Sequence, residues 1–208
     1  MTAARAARTN AVSERDTPFD DPTARFAAGR FGMWIFLVVL AVVFASTILG
    51  YLVVRIDNGD AFIPIDAPSP PRILLVSTAL LLVSSWTMQR ALRFGRSGDP
   101  RQGGMMVATS ALALGFLAVQ GVAWAELYRQ NLAISDNLYG WTFYVLTALH
   151  AAHVVGGLVP MAITTWRASR GRYGPADHRG ITYCAMYWHF LDGAWIVLYA
   201  VLLLGSAR

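Results

Sequence analysis

Five stretches of the chain, at 31–55, 72–93, 104–128, 139–166 and 181–204, are apolar over a length that crosses a bilayer. Spanning roughly 30 Å of hydrocarbon takes about 20 apolar residues as helix, and inside lipid every backbone N–H and C=O must be bonded within the segment. The pattern therefore predicts an all-α, polytopic membrane protein built as a five-helix bundle. Composition agrees: a chain of 208 residues with 56% hydrophobic residues, 14% charged residues and a mean hydropathy of +0.46 is too apolar for an ordinary water-soluble domain.

The ends and loops carry the charge. All 17 basic residues are arginine; Arg5, Arg8, Arg15, Arg25 and Arg30 lie in the polar stretch 1–30. That stretch has no apolar core region, so it reads as a partly disordered cytoplasmic tail and not a secretory signal, with 31–208 as the membrane domain. Arg90, Arg93, Arg96 and Arg101 surround one loop, and Arg167, Arg170, Arg172 and Arg179 another on the same side. Arg55, Arg72, Arg129 and Arg208 fall on the opposite side. Because basic loops stay in the cytoplasm, the N-terminus is expected inside and the C-terminus outside, in the periplasm. The formal charge of +5 follows from this topology, and nothing in the pattern points to nucleic-acid binding.

Ionisable groups within the spans need a reason. His150 and His153 stand three apart on the fourth span and share a face, and His189 and Asp192 do the same on the fifth. Counting helix rise puts His150 and Asp192 near mid-membrane, which predicts that the last two helices pack antiparallel, with His150 near Asp192 and His153 near His189. One reading makes these residues, with Gln120 on the third span, a hydrogen-bonded polar cluster that fixes helix packing. The other makes the histidines haem or copper ligands, as in a standalone b-haem electron carrier. Cys184 is the single cysteine and is expected to serve packing, not a metal. Trp34, Arg55, Arg90, Arg93 and Trp188 are placed as lipid or interface residues; Arg90 and Arg93 close the second span, where an anionic headgroup fits. No catalytic residues are assigned, since the chain carries no nucleophile–base spacing, phosphate-binding glycine loop or HExxH motif.

Several runs together resemble one family. Phe31-Gly32-Met33-Trp34-Ile35-Phe36-Leu37 is similar to an FGMWLFL opening, Gly115 to Gln120 to a GFLFLxxQ run, and Tyr139 to Gly156 to YGSxFYxLTGxHGxHVxxG. The run Tyr187-Trp188-His189-Phe190-Leu191-Asp192-Gly193-Ala194-Trp195 resembles YWHFVD-x-VW. In this order the set resembles subunit III of the haem-copper oxidases, in a five-helix form without the family's first two helices. The resemblance implies a non-catalytic subunit of a respiratory terminal oxidase on a bacterial inner membrane, stabilising the catalytic subunit and its proton supply. It implies no cofactor or metal in this chain, with haem and copper in the partner subunits I and II, and bound phospholipid. His150, His153, Trp188, His189 and Asp192 match the family pattern, while Leu40 and Ala123 stand where the family carries glutamates. Loss of both carboxylates keeps open an accessory subunit of a nitric oxide reductase.

Overall fold

A computed structural model of the chain describes residues 22–64, 72–130 and 138–206. The helices are α1 (Pro22–Asn58), α2 (Ile73–Ser97), α3 (Arg101–Arg129), α4 (Leu138–Ser169) and α5 (Arg179–Ser206), with a 3₁₀ turn at Gly59–Phe62 after α1. Among the described residues all five α-helices are long and apolar enough to cross a membrane, as the sequence predicts. Each extends past its expected span; α1 begins at Pro22, inside the stretch read as a tail. The remainder of that tail lies outside the described residues.

The part of α1 up to Phe36 is a unit of its own. In it Arg30 places its guanidinium 5.9 Å from the Phe26 ring centre, and Trp34 is exposed. From Leu37 onward the chain forms a second unit. There α2 packs on α3 and on α5, α3 on α4, and α4 on α5, so that four helices close a ring. In this unit α1 buries a single stripe, Leu37, Leu40, Phe44 and Tyr51, at helical spacing, while Val38, Val39, Val42 and Val53 point outward. A helix that is apolar on all sides but buries one stripe matches a lipid-facing helix.

The rings of Phe44 and His153 lie 5.1 Å apart, and those of Phe62 and Tyr139 5.7 Å apart, which seats α1 on α4. Arg55 pins the other end: its Nε donates to the Gly205 carbonyl in the last turn of α5 at 3.1 Å, and its Nη1 donates to the Gly59 carbonyl. A cation on the orphan carbonyls of a helix C-terminus satisfies both charge and hydrogen bonding.

The loops between α2 and α3 and between α4 and α5 use the same devices. Gly98 and Gly171 adopt positive φ (73° and 65°), the conformation that closes a helix with a left-handed residue. Asp99 N then donates to Phe94 O, and Arg172 N to Arg167 O, capping exposed carbonyls. The following helix starts on an Asp-x-Arg pair. Asp99 Oδ1 accepts the Arg101 N–H at 2.9 Å, and Asp177 Oδ1 accepts the Arg179 N–H at 3.2 Å, with each guanidinium folded back on the same carboxylate. The hydrogen bonds from Arg101 hold the Asp99 carboxyl below its ordinary range, and those from Arg179 do the same for Asp177. A depressed carboxyl contributes stability above the ordinary carboxylate range and loses it as the pH falls through the folded value. The double variant D99N/D177N is expected to melt below the parent chain at neutral pH, and the gap is expected to close as the pH is lowered through the carboxylate range; parallel thermal melts in detergent across pH check it.

Close helix approach depends on small residues, since lipid supplies no hydrophobic drive between helices. A Cβ on Gly103 would sit 2.9 Å from the Ser169 Cα and 3.2 Å from its N, both backbone atoms, whereas one on the adjacent Gly104 would meet nothing within 4 Å. Gly103→Leu is therefore expected to force α3 from α4 at a cost of about 1–3 kcal/mol, and Gly104→Leu to leave the thermal midpoint in place.

Candidate functional site

The residues singled out in the sequence separate into three places. The first is the seam between α2 and α5, where a ladder of side-chain hydrogen bonds runs along the antiparallel pair. Trp195 Nε1 donates to Thr78 Oγ1 at 3.0 Å, and Trp188 Nε1 donates to Ser84 Oγ at 2.9 Å. His189 completes it, with Nδ1 at 2.7 Å from Ser85 Oγ and Nε2 at 3.2 Å from Gln89 Oε1. An amide oxygen only accepts, so Nε2 carries the ring proton and Nδ1 accepts from the Ser85 hydroxyl. The Asp192 side chain is buried beside Ser85, and among the described residues neither carboxylate oxygen meets a donor in hydrogen-bond geometry.

The second place is an aromatic box on α4. The His150 ring is fully buried, with centroids of Trp195, Phe116 and Phe44 at 5.0, 5.6 and 6.1 Å. Among the described residues neither of its nitrogens has a hydrogen-bond partner. One turn beyond Phe116, Gln120 is buried, with both amide atoms likewise unpartnered among the described residues, and a turn further Trp124 Nε1 donates to Thr147 Oγ1 at 3.1 Å. The third place is the α1–α4 contact. His153 Nδ1 donates to the Leu149 carbonyl at 2.7 Å, its ring meets Phe44, and its own carbonyl accepts from Tyr187 at 2.8 Å.

His189 makes its hydrogen bonds across to α2, and the His150 ring meets the rings of Trp195, Phe116 and Phe44. Trp188, at 1% exposure, is a core residue, not a lipid or interface one, because its indole N–H finds Ser84 inside the bundle. Arg55 is engaged internally at Gly205. Arg90 and Arg93 are exposed, and Arg90 lies 4.9 Å from the Trp86 ring. Cys184 donates to Thr164 Oγ1 at 3.3 Å between α5 and α4.

Sequence reasoning missed the α2 side of the seam. Thr78, Ser85 and Gln89 recur at seven and four residues, one helix face, and that spacing was the available signal.

The chain matches the family model for cytochrome c oxidase subunit III over residues 13–206. The chain belongs to the cytochrome c oxidase subunit III family. It is 31% identical over 179 residues to the cytochrome c oxidase subunit 3 of Synechocystis, covering 84% of this chain and 74% of the relative. It is 29% identical over 162 residues to the probable cytochrome c oxidase subunit 3 of Nocardia farcinica, covering 76% of this chain and 79% of that one. Against the mouse subunit the match is 29% over 180 residues, 82% of this chain and 67% of the relative. Among the described residues, no group of three or more His, Cys, Asp or Glu side chains is placed to hold a metal ion. In this subunit III chain Leu40 and Ala123 are core residues, at 7% and 0% exposure.

Interhelical hydrogen bonds in lipid average about 0.6 kcal/mol and reach about 1.7. A double-mutant cycle of Trp188→Phe and Ser84→Ala, read by thermal or denaturant unfolding in detergent, is expected to give a coupling of about 0.5–1.7 kcal/mol. The same cycle with Trp188→Phe and the distant Ser110→Ala is expected to give none.

Proposed function

We propose that the chain serves as the non-catalytic subunit III of a respiratory haem-copper terminal oxidase, stabilising the subunit that reduces oxygen and sustaining its proton supply. The observation that carries this reading is the family match across nearly the whole membrane domain, residues 13–206. The use of the polar side chains supports it. Both ring nitrogens of His189 are engaged by Ser85 and Gln89, and the His150 ring is enclosed by Trp195, Phe116 and Phe44. Axial ligation of a b-haem would have to break the first set and open the second, so the electron-carrier reading is not favoured. The relatives named above are cytochrome c oxidase subunits, which favours an oxidase over a nitric oxide reductase.

In this reading the partners are the catalytic subunit I, which holds haem and copper, and subunit II. His150, His153, His189, Asp192 and Gln120 serve packing, while Trp34, Arg90 and Arg93 meet lipid headgroups or a neighbouring subunit. Residues 1–30 form a cytoplasmic extension of a membrane domain that occupies 31–208. The arginine asymmetry supports a multi-pass protein of the bacterial inner membrane, with the N-terminus cytoplasmic and the C-terminus periplasmic.

Isolation of the tagged chain from its native membrane in mild detergent, with mass spectrometry of what travels with it, tests the reading. The expected result is recovery with a haem-copper catalytic subunit and subunit II, the haem spectrum belonging to the partners. Partners of the nitric oxide reductase type, or a haem band that stays with the isolated chain, would overturn it.

A further inference from the structure

Asp192 stands at the middle of α5, about 20 Å of helix from either end, with 5% of its surface exposed. A carboxylate at that depth requires a cation or several hydrogen-bond donors, because the hydrocarbon around the bundle gives it no hydration. Among the described residues it has neither: it forms no ion pair, and neither oxygen meets a donor in hydrogen-bond geometry. Its polar neighbour is Ser85, midway along α2.

A serine hydroxyl has a single proton to give. Ser85 gives it to His189 Nδ1 at 2.7 Å, because Nε2 of the same ring donates to Gln89 Oε1 at 3.2 Å. What Ser85 has left for Asp192 is a lone pair on oxygen. An anion cannot use a lone pair, whereas a carboxylic acid can, since its own O–H donates to it. The reverse order, with Ser85 donating to a carboxylate, would need a neutral His189 to donate from Nδ1 and accept at Nε2, where Gln89 presents an oxygen that only accepts. A doubly protonated His189 would allow that order, but it would set two charges in the membrane interior where a neutral pair makes the same bonds.

We infer that Asp192 is a proton-holding site: it keeps its proton as a carboxylic acid and donates it to Ser85, at the head of a one-way chain of donors from Asp192 through Ser85 and His189 to Gln89. The chain starts at mid-span and runs toward the end of α2 that carries Arg90 and Arg93. It lies wholly within this polypeptide, so the inference stands apart from the subunit reading above.

Infrared spectra of the full chain test it, taken at neutral pH in vesicles of ether-linked phosphatidylcholine, whose chains carry no carbonyl. The parent is compared with Asp192→Asn, Ser85→Ala and the distant Ser110→Ala. The expected parent spectrum contains a carboxylic-acid C=O stretch that is lost in Asp192→Asn. The same band is expected to move to lower frequency in parent chain grown with heavy carbon in the aspartate side-chain carboxyl, a reading that stands even if Asp192→Asn fails to fold. In Ser85→Ala the band is expected to remain and move to higher frequency, as an acid that has lost its hydrogen-bond acceptor, while Ser110→Ala leaves it in place. A parent spectrum without an acid band that responds to heavy aspartate would overturn the inference, since Asp192 would then be ionised and the chain of donors reversed. A band that ignores Ser85→Ala, or that moves equally in Ser110→Ala, would overturn it too, because Ser85 would not be the acceptor.

Discussion

Hydrogen bonds from α5 to α2 carry the architecture, because in hydrocarbon they provide what apolar contact cannot. Every helix here is apolar toward lipid and toward its neighbours alike, so burying one more leucine gains little over leaving it in the bilayer. Direction and register must come from groups with few ways of being satisfied. The indole N–H groups of Trp195 and Trp188 and the two nitrogens of His189 each find one acceptor or donor on α2, in an order that runs antiparallel from Thr78 to Gln89. A slip of one residue along either helix would break all four bonds, so the ladder fixes register even where each bond contributes only about 0.6 kcal/mol.

Small residues then allow the remaining contacts in the ring to close. Gly103 brings the start of α3 against the backbone at Ser169, and Gly157 lies under the Tyr187 ring, whose hydroxyl bonds the His153 carbonyl on the same helix as Gly157. Aromatic rings fill the space that polar residues do not. The box of Trp195, Phe116 and Phe44 around His150 joins α5, α3, α1 and α4 at one level of the bundle.

The number, type and approximate limits of the helices were legible in the sequence, because a span of hydrocarbon sets a length that apolar runs must meet. The family was legible too, from motifs that keep their order along the chain. Pairing of side chains was not. His150, His153, His189 and Asp192 invited a pairing by depth, but depth gives one coordinate and a contact needs the rotation of each helix as well. Rotation is set here by the modest residues Thr78, Ser84 and Ser85, which look ordinary in a span until their partners are known. Trp188 illustrates the same limit. Tryptophan near a span end suggests the interface, yet a single serine opposite turns it into the core.

The attachment of α1 has a consequence for how such a chain is made. Its stripe meets side chains of α4 and α5, and Arg55 holds a carbonyl 150 residues further along the chain. Helices enter a membrane in the order of their synthesis, so α1 precedes α4 and α5 and waits through the insertion of α2 and α3 before its first partner arrives. Its own helix hydrogen bonds and its valine-rich surface make that wait tolerable, since lipid suits every face it shows. The seating of Phe44 on His153 waits for α4, and the closing of Arg55 on Gly205 waits for α5.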